Sequence, residues 1–273
     1  MQNDKYKKLK ELLSGMGSVL VAFSGGTDST LVLKVAHDVL GDRAIAMTAL
    51  SASLPVADRL EAETLARQIG ASYIPVESAE TSNPEYLANT PNRCFFCKDE
   101  TYGRLSAFAR EHGIQVIVDG TNADDTSDYR PGRKAASQYN VRSPLLEAGF
   151  NKAEIRQLSR ELGLPNWDKP AAACLSSRIP YGTRITLSAL SQVERSESFL
   201  HGLGLRQVRV RHHGSVARIE AEPDDFPVLF EHRSEIVTAL QAAGYIYVSL
   251  DLAGFRSGSM NAVLQETARK EIT

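Results

Sequence analysis

Ser18-Val19-Leu20-Val21-Ala22-Phe23 runs directly into Ser24-Gly25-Gly26-Thr27-Asp28-Ser29, and this stretch decides the fold. A short apolar run of this kind reads as a strand buried on both faces. Asp28–Leu40 follows, with Leu31, Leu33, Val35 and Val39 apolar, and reads as a helix. The junction between them suits an anion. Adjacent glycines let backbone N–H groups approach a phosphate closely, and the helix N-terminus adds partial positive charge. Ser24 and Ser29 offer hydroxyl donors. Asp28 repels phosphate unless Mg²⁺ lies between them, so it points to a metal-bound nucleotide. No Gly-Lys-Ser/Thr follows, which excludes a Walker A loop. Gly15-Met16-Gly17 precedes the strand and lacks a third glycine, which excludes a dinucleotide fingerprint. An ordinary strand–helix turn is the bland alternative, and Ser-Gly-Gly-Thr-Asp-Ser at the first such junction is too specific for it.

Working outward, Ala44–Leu50, Ser72–Val76 and Gln115–Val118 read as further strands. Tyr6–Leu13, Asp58–Ile69, Lys98–His112 and Lys152–Leu162 read as helices, with Gly70, Gly113 and Gly163 at their ends. Alternating strands and helices imply an α/β fold with an open parallel sheet covered on both faces. Beyond Gly182 the pattern changes. Thr186 is placed to cap a helix running to Leu200, and Arg206–Val210 and Ser215–Ala221 flank His212-His213-Gly214, which reads as a hairpin turn. Phe226–Ala242 is mostly helical by pattern, and Tyr245–Leu252 is a strand. The expected organisation is a nucleotide domain over residues 1–183 and a smaller α+β domain over 184–273.

Composition sets the outer bounds. The 273 residues carry 31 Lys and Arg against 33 Asp and Glu, a net charge of −2. No strong overall field draws nucleic acid or an anionic membrane. With 42% hydrophobic and 23% charged residues, the chain is neither disordered nor fibrous. Folding a chain of this size buries about 70% of its surface. Met1–Leu13 is too charged for a signal peptide, and no apolar run approaches the ~20 residues of a membrane span. A cytoplasmic protein with no membrane partner is the expectation.

Three cysteines are present, Cys94, Cys97 and Cys174. An odd, low count containing one C-x-x-C fits metal or redox chemistry better than a disulfide framework. Buried, unrelated cysteines are the bland alternative. Zinc requires a fourth ligand, and neither cysteine motif contains a histidine; His112 alone lies between them. Three thiolates with an open fourth position suit a [4Fe–4S] cluster having one iron not held by protein. Soft thiolates remain consistent with either metal.

Other candidates surround these motifs. Asp119-Gly120-Thr121-Asn122-Ala123-Asp124-Asp125 follows the fourth strand, where ligands of open α/β sheets bind. Its acids are candidates for Mg²⁺ or for the loop wall, and Arg130, farther along the loop, for a phosphate. Arg209 and Arg211 alternate along a strand, so both leave one face. They form a candidate clamp for phosphate or carboxylate, against the alternative of a solvated basic face. Glu197 and Glu220 are candidates to balance them or to bind metal.

Ser24–Ser29 resembles the PP-loop of the ATP pyrophosphatases, enzymes that cleave ATP between its α- and β-phosphates and transfer AMP to an oxygen. The wider set of motifs resembles the LarE family, ATP-dependent sulfur transferases of lactate racemase nickel-pincer cofactor maturation. That resemblance rests also on Asn89-Thr90-Pro91, Arg93–Lys98, Asp119–Asn122, Arg130-Pro131-Gly132, Ser143-Pro144-Leu145, Lys152–Arg156, Lys169–Arg178, Arg209-Val210-Arg211 and Ala217–Glu220. It implies adenylation of pyridinium-3,5-biscarboxylic acid mononucleotide and conversion of its carboxylates to thiocarboxylates. It further implies ATP and Mg²⁺ on Ser24, Gly25, Gly26, Thr27, Asp28 and Ser29, and a [4Fe–4S] cluster on Cys94, Cys97 and Cys174, which passes on a bound sulfide. Arg209 and Arg211 would grip the substrate phosphate, Ser177 and Arg178 would lie near the reacting carboxylate, and Glu197 and Glu220 would share that pocket. The family's other kind sacrifices a cysteine near Cys174 instead. Self-association is also implied. A tRNA thiolase would need a basic RNA-binding surface, which the net charge and short C-terminal region do not supply. A non-catalytic nucleotide sensor would leave the cysteines unexplained.

Overall fold

A computed structural model of the chain describes residues 2–127, 132–170 and 173–256. By contact the chain forms two compact units. The first comprises Met1–Tyr86 with Asn92–Ala172, and the second comprises Leu87–Pro91 with the chain from Ala173 onward.

The first unit contains α1 (Gln2–Ser14), β1 (Val19–Ala22), α2 (Thr27–Leu40), β2 (Ala44–Leu50), α3 (Val56–Ile69), β3 (Ser72–Glu77), most of the short α4 (Pro84–Leu87), α5 (Arg93–Glu111), β4 (Val116–Val118), α6 (Gly132–Gln138), α7 (Pro144–Ala148) and α8 (Lys152–Glu161). Its sheet has the order β3-β2-β1-β4, and every pair is parallel. Alternation along β1 explains the burial on both faces. Val19 and Val21 pack with Leu9, Leu31, Val35 and Ile155, whereas Leu20 packs with Met47, Leu105 and Ile117. The expected open parallel sheet is therefore present. The strand order reverses beside β1, and ligands of such sheets bind at the carboxyl ends of the strands there.

Glycines end the helices as the sequence suggests. Gly70 takes φ 87° after α3, and Asn151 forms a capping box with Glu154 at the start of α8. One expectation is corrected here. Helix α5 begins at Arg93, five residues before Lys98, so Cys94 and Cys97 lie inside its first two turns and not ahead of it. Their i, i+3 spacing was itself a helical signal.

The second unit contains α9 (Leu187–Gly202), β5 (Val208–His213), β6 (Val216–Ala221), α10 (Phe226–Glu231), α11 (Arg233–Ala243) and β7 (Tyr247–Leu250). Thr186 caps α9 by accepting from the Ala189 N–H at 3.1 Å. Strands β5 and β6 are antiparallel, β6 and β7 parallel. Val208 and Val210 join Leu200, Ile219, Ile236 and Leu240 in one core. His212 and His213 are strand residues paired with Ala217 and Val216, so the turn is shorter than expected. The mostly helical stretch Phe226–Ala242 is two helices, broken at His232. The unit also takes in Ala173–Thr183, ahead of the expected start at Arg184. Asn89 helps to explain this: its Nδ2 donates to the Ile179, Pro180 and Thr183 carbonyls at 3.2, 2.8 and 3.0 Å.

Candidate active site

The glycine loop between β1 and α2 is shaped by backbone conformation. Gly25 has φ +70°, and a Cβ there would meet the Ala62 backbone at 3.0 Å, so two separate constraints demand glycine. Gly26 is extended (φ −75°, ψ 159°) and carries no side-chain cap. The first N–H groups of α2 thus have no partner within the helix and are free to meet an anion. The Ser24 and Ser29 hydroxyls lie 3.2 Å apart, and Ser29 Oγ donates to the Gly26 carbonyl at 3.1 Å. Thr27 differs from its neighbours. Its hydroxyl is buried and donates to the Asn166 carbonyl at 2.9 Å, which leaves only its backbone to serve a nucleotide.

Asp28 opens α2, and its carboxylate receives both bonds of the Lys152 ammonium, at 2.6 and 2.7 Å. Burial pushes the Asp28 carboxyl above its ordinary range, and Lys152 pulls it part of the way back. The loop after β4 closes against this turn. A Cβ at Gly120 would meet the Ser29 nitrogen at 2.8 Å, so glycine is required for the approach. Asp119 is occupied as a strut. It accepts from the Thr121 N–H, the Thr121 and Ser143 hydroxyls and the Tyr102 phenol, at 2.7 to 3.1 Å. Those contacts occupy both of its oxygens. Tyr102, buried beside it, is pushed up to about 12. Asp124 accepts from the Lys152 N–H and Asp125 from the Asn122 N–H, so both also build the loop. Arg130 lies outside the described residues.

The second unit holds Cys174 at the start of a 3₁₀ turn, Leu175–Arg178. The buried Arg178 guanidinium fastens this turn. Nη1 donates to the Ala173 and Cys174 carbonyls at 2.6 and 3.0 Å and to Ser177 Oγ at 3.0 Å. Its other nitrogens form a fork on Glu197, at 2.9 and 2.8 Å, and Glu197 also accepts from the Val210 N–H. Glu197 therefore balances Arg178 and not the β5 arginines, a pairing that strand alternation could not show.

Glu220 is the carboxylate that serves β5. It is fully buried, accepts from Arg211 Nε and Nη2 at 2.9 and 2.6 Å, and pairs with Arg218 at 3.1 Å. Arg211 Nη1 also donates to the Ser177 carbonyl at 3.1 Å. Arg209 and Arg211 are 8% and 5% exposed, so the solvated basic face is not what the strand presents. Arg209 instead lies over the Phe255 ring, 5.5 Å from its centroid.

Cys94 is exposed, and Cys97 and Cys174 are half-buried. Cys94 and Cys97 belong to the first unit and Cys174 to the second. Among the described residues, no group of three or more His, Cys, Asp or Glu side chains is gathered as a metal site. The residues that sequence reasoning missed are Asn166 and Lys152 in their contacts with the glycine loop. Lys152 stood within a quoted motif, but nothing in the sequence paired it with Asp28.

No family model matches the chain. It is 46% identical over 266 residues to an uncharacterized protein of Synechocystis sp., covering 97% of this chain and 99% of the other. It is 43% identical over 264 residues to pyridinium-3,5-bisthiocarboxylic acid mononucleotide synthase of Lactiplantibacillus plantarum, covering 95% of each chain. A more distant likeness, 26% over 212 residues, is to a glutamine-hydrolyzing GMP synthase of Aliarcobacter butzleri, covering 70% of this chain and 40% of that enzyme. With likeness along almost the full length of both chains, the glycine loop on β1 and the parallel sheet beneath it, the chain belongs to the pyridinium-3,5-bisthiocarboxylic acid mononucleotide synthase (LarE) family of PP-loop, ATP-using enzymes.

Proposed function

We propose that the chain adenylates the carboxylates of pyridinium-3,5-biscarboxylic acid mononucleotide with ATP and converts them to thiocarboxylates. The observation that carries this reading is the 43% identity, over 95% of both chains, to a synthase named for that bisthiocarboxylic product. A carboxylate oxygen attacks the α-phosphorus of ATP, pyrophosphate leaves, and an acyl adenylate forms. A sulfur nucleophile then attacks the acyl carbon and expels AMP, leaving a thiocarboxylate.

The first step falls to the glycine loop. The N–H groups of Gly26, Thr27, Asp28 and Ser29, with the Ser24 and Ser29 hydroxyls, hold the phosphates, and Asp28 serves the Mg²⁺. Lys152, the first residue of α8, offers a second positive charge next to the phosphates once Asp28 engages the metal. Arg130 belongs to the same proposal as a phosphate contact.

The second step is assigned to the second unit. Arg209 and Arg211 grip the substrate phosphate, the Ser177 hydroxyl and the Arg178 turn lie near the reacting carboxylate, and Glu197 and Glu220 keep these guanidiniums in place. The fork of Arg178 on Glu197 supports this, because it fixes the turn bearing Cys174 without using the thiol. The donor set suits a [4Fe–4S] cluster: three soft, unoxidised thiols, two of them three residues apart on one helix and outside the packed core. Cys94, Cys97 and Cys174 would hold the cluster, which supplies a sulfide to the acyl adenylate when bound.

The same reading includes a cytoplasmic location, an external sulfur donor and self-association. No described helix is long and apolar enough to cross a membrane. Ile246, just before the edge strand β7, and Tyr247, its first residue, are more than 60% exposed, which supports a protein neighbour there.

The test is a reaction of anaerobically reconstituted protein with ATP, Mg²⁺ and the mononucleotide. Substrate-dependent formation of AMP and pyrophosphate, with sulfur entering the mononucleotide by mass spectrometry, is expected. ADP as the nucleotide product, or modification of tRNA in its place, overturns the reading.

A further inference from the structure

Asn166 lies outside every role given so far, yet it is 4% exposed and set against the glycine loop. Its Nδ2 donates to the Gly25 carbonyl and to Thr30 Oγ1, each at 3.0 Å, and its own carbonyl accepts from the Thr27 hydroxyl at 2.9 Å. The Gly25 oxygen can only accept, so the amide must present its nitrogen there. Its Oδ1 is buried without a hydrogen-bond partner, a cost the site bears in order to aim the two donors. The segment bearing Asn166 is itself anchored. Lys169 reaches Asp58 and Glu61 on α3 at 2.8 and 2.7 Å, and Arg160 lies over the Trp167 ring, 5.1 Å from its centroid.

The Gly25 carbonyl belongs to the same rigid plane as the Gly26 N–H, and the two point in opposite directions. Holding one therefore aims the other. A peptide between two glycines turns over easily, because the turn changes ψ of Gly25 and φ of Gly26, and glycine has no Cβ to resist either change. Turned over, this one would direct a carbonyl dipole at the bound phosphates where an N–H should stand. Gly26 would then move from φ −75° to roughly +105°, a region closed to residues with a Cβ.

We propose that Asn166 is a positioning residue that locks the Gly25–Gly26 peptide in its anion-binding orientation. The proposal rests on the reading of Ser24–Ser29 as the ATP loop. It makes Asn166 a determinant of nucleotide affinity although both of its amide donors are spent on the protein's own loop.

The test is titration of ATP with Mg²⁺ into the full chain by calorimetry, with thermal unfolding alongside. Asn166→Leu is nearly isosteric and uncharged, so it removes both donors without adding repulsion. Affinity for ATP is expected to fall about tenfold, the scale of one or two neutral hydrogen bonds. Gly26→Ala supplies the second arm. Alanine accepts φ −75°, and its Cβ would meet only Ser24 Oγ, at 3.4 Å, whereas it forbids the turned-over state. The loss caused by Asn166→Leu should shrink to within about twofold when measured in the Gly26→Ala background, which a purely structural role would not produce. Should Asn166→Leu alone fail to fold, the double variant should regain folding and ATP binding. Unchanged affinity in Asn166→Leu, or an equal loss in both backgrounds, overturns the lock. A wild-type chain that binds no ATP overturns the loop reading, and the lock with it.

Discussion

Glu197→Ala tests the support of the Cys174 turn most directly. Arg178 is 3% exposed and Glu197 5%, and the carboxylate accepts three hydrogen bonds, two from the guanidinium and one from the Val210 N–H. Truncation leaves the guanidinium buried without its counter-charge and the strand amide without its acceptor. Breaking a buried pair from one side costs about 3–5 kcal/mol. In a chain of this length that lowers Tm by about 6–20 °C. Replacing both partners, as Arg178→Met with Glu197→Leu, should cost less than Glu197→Ala alone, because no charge is then stranded. A second readout is local. Arg178 Nη1 holds the Ala173 and Cys174 carbonyls, so the single variant should alkylate faster at Cys174, read by peptide mass spectrometry below its unfolding temperature. A drop in Tm of less than about 2 °C with unchanged alkylation would refute the reasoning, since no buried charge would have been stranded.

Other outcomes follow from the same geometry. Asp28→Asn should leave the fold intact and lower Mg²⁺-dependent AMP formation more than about tenfold, because the amide keeps the side chain's shape but removes the anionic oxygens that would serve Mg²⁺ and that Lys152 holds. Arg211→Lys keeps a charge beside Glu220 but loses the fork, and should raise the KM for the mononucleotide by about tenfold with ATP affinity unchanged. Anaerobic protein should be brown with about four irons per chain, and alanine at Cys94, Cys97 or Cys174 should remove the iron; colourless protein with stoichiometric zinc would sink that expectation. Burial holds His212 and His213 below the ordinary histidine value of 6.5. The folded state then binds fewer protons than the unfolded one, so their contribution is present above 6.5 and is lost as pH falls through their depressed values. His212→Gln with His213→Gln should flatten the dependence of Tm on pH just below 6.5.

The parallel sheet, the helices on both its faces and the glycine loop were all legible in the amino-acid pattern. Those depend on neighbours in the chain: an apolar run, a period, a glycine where φ must be positive. Ala44–Leu50 has the same bounds in sequence and structure, whereas the approach of Gly25 to the Ala62 backbone came only from packing. Cys94 and Cys97 were equally legible, because C-x-x-C is a local motif. Which charge answers which was settled only by tertiary structure. Strand alternation put Arg209 and Arg211 on one face but could not pair Arg211 with Glu220 or send Glu197 to Arg178, since those partners come from other elements. Asp119 stood open as a metal ligand or as part of the loop wall until Tyr102 and Ser143 reached it from α5 and the start of α7. Asn166 gave no signal, because its chemistry is two donors aimed at a loop 141 residues away in the chain. Sequence periodicity reports which face of an element is buried; the partner of a buried polar group is set by packing between distant segments, and no local pattern encodes it.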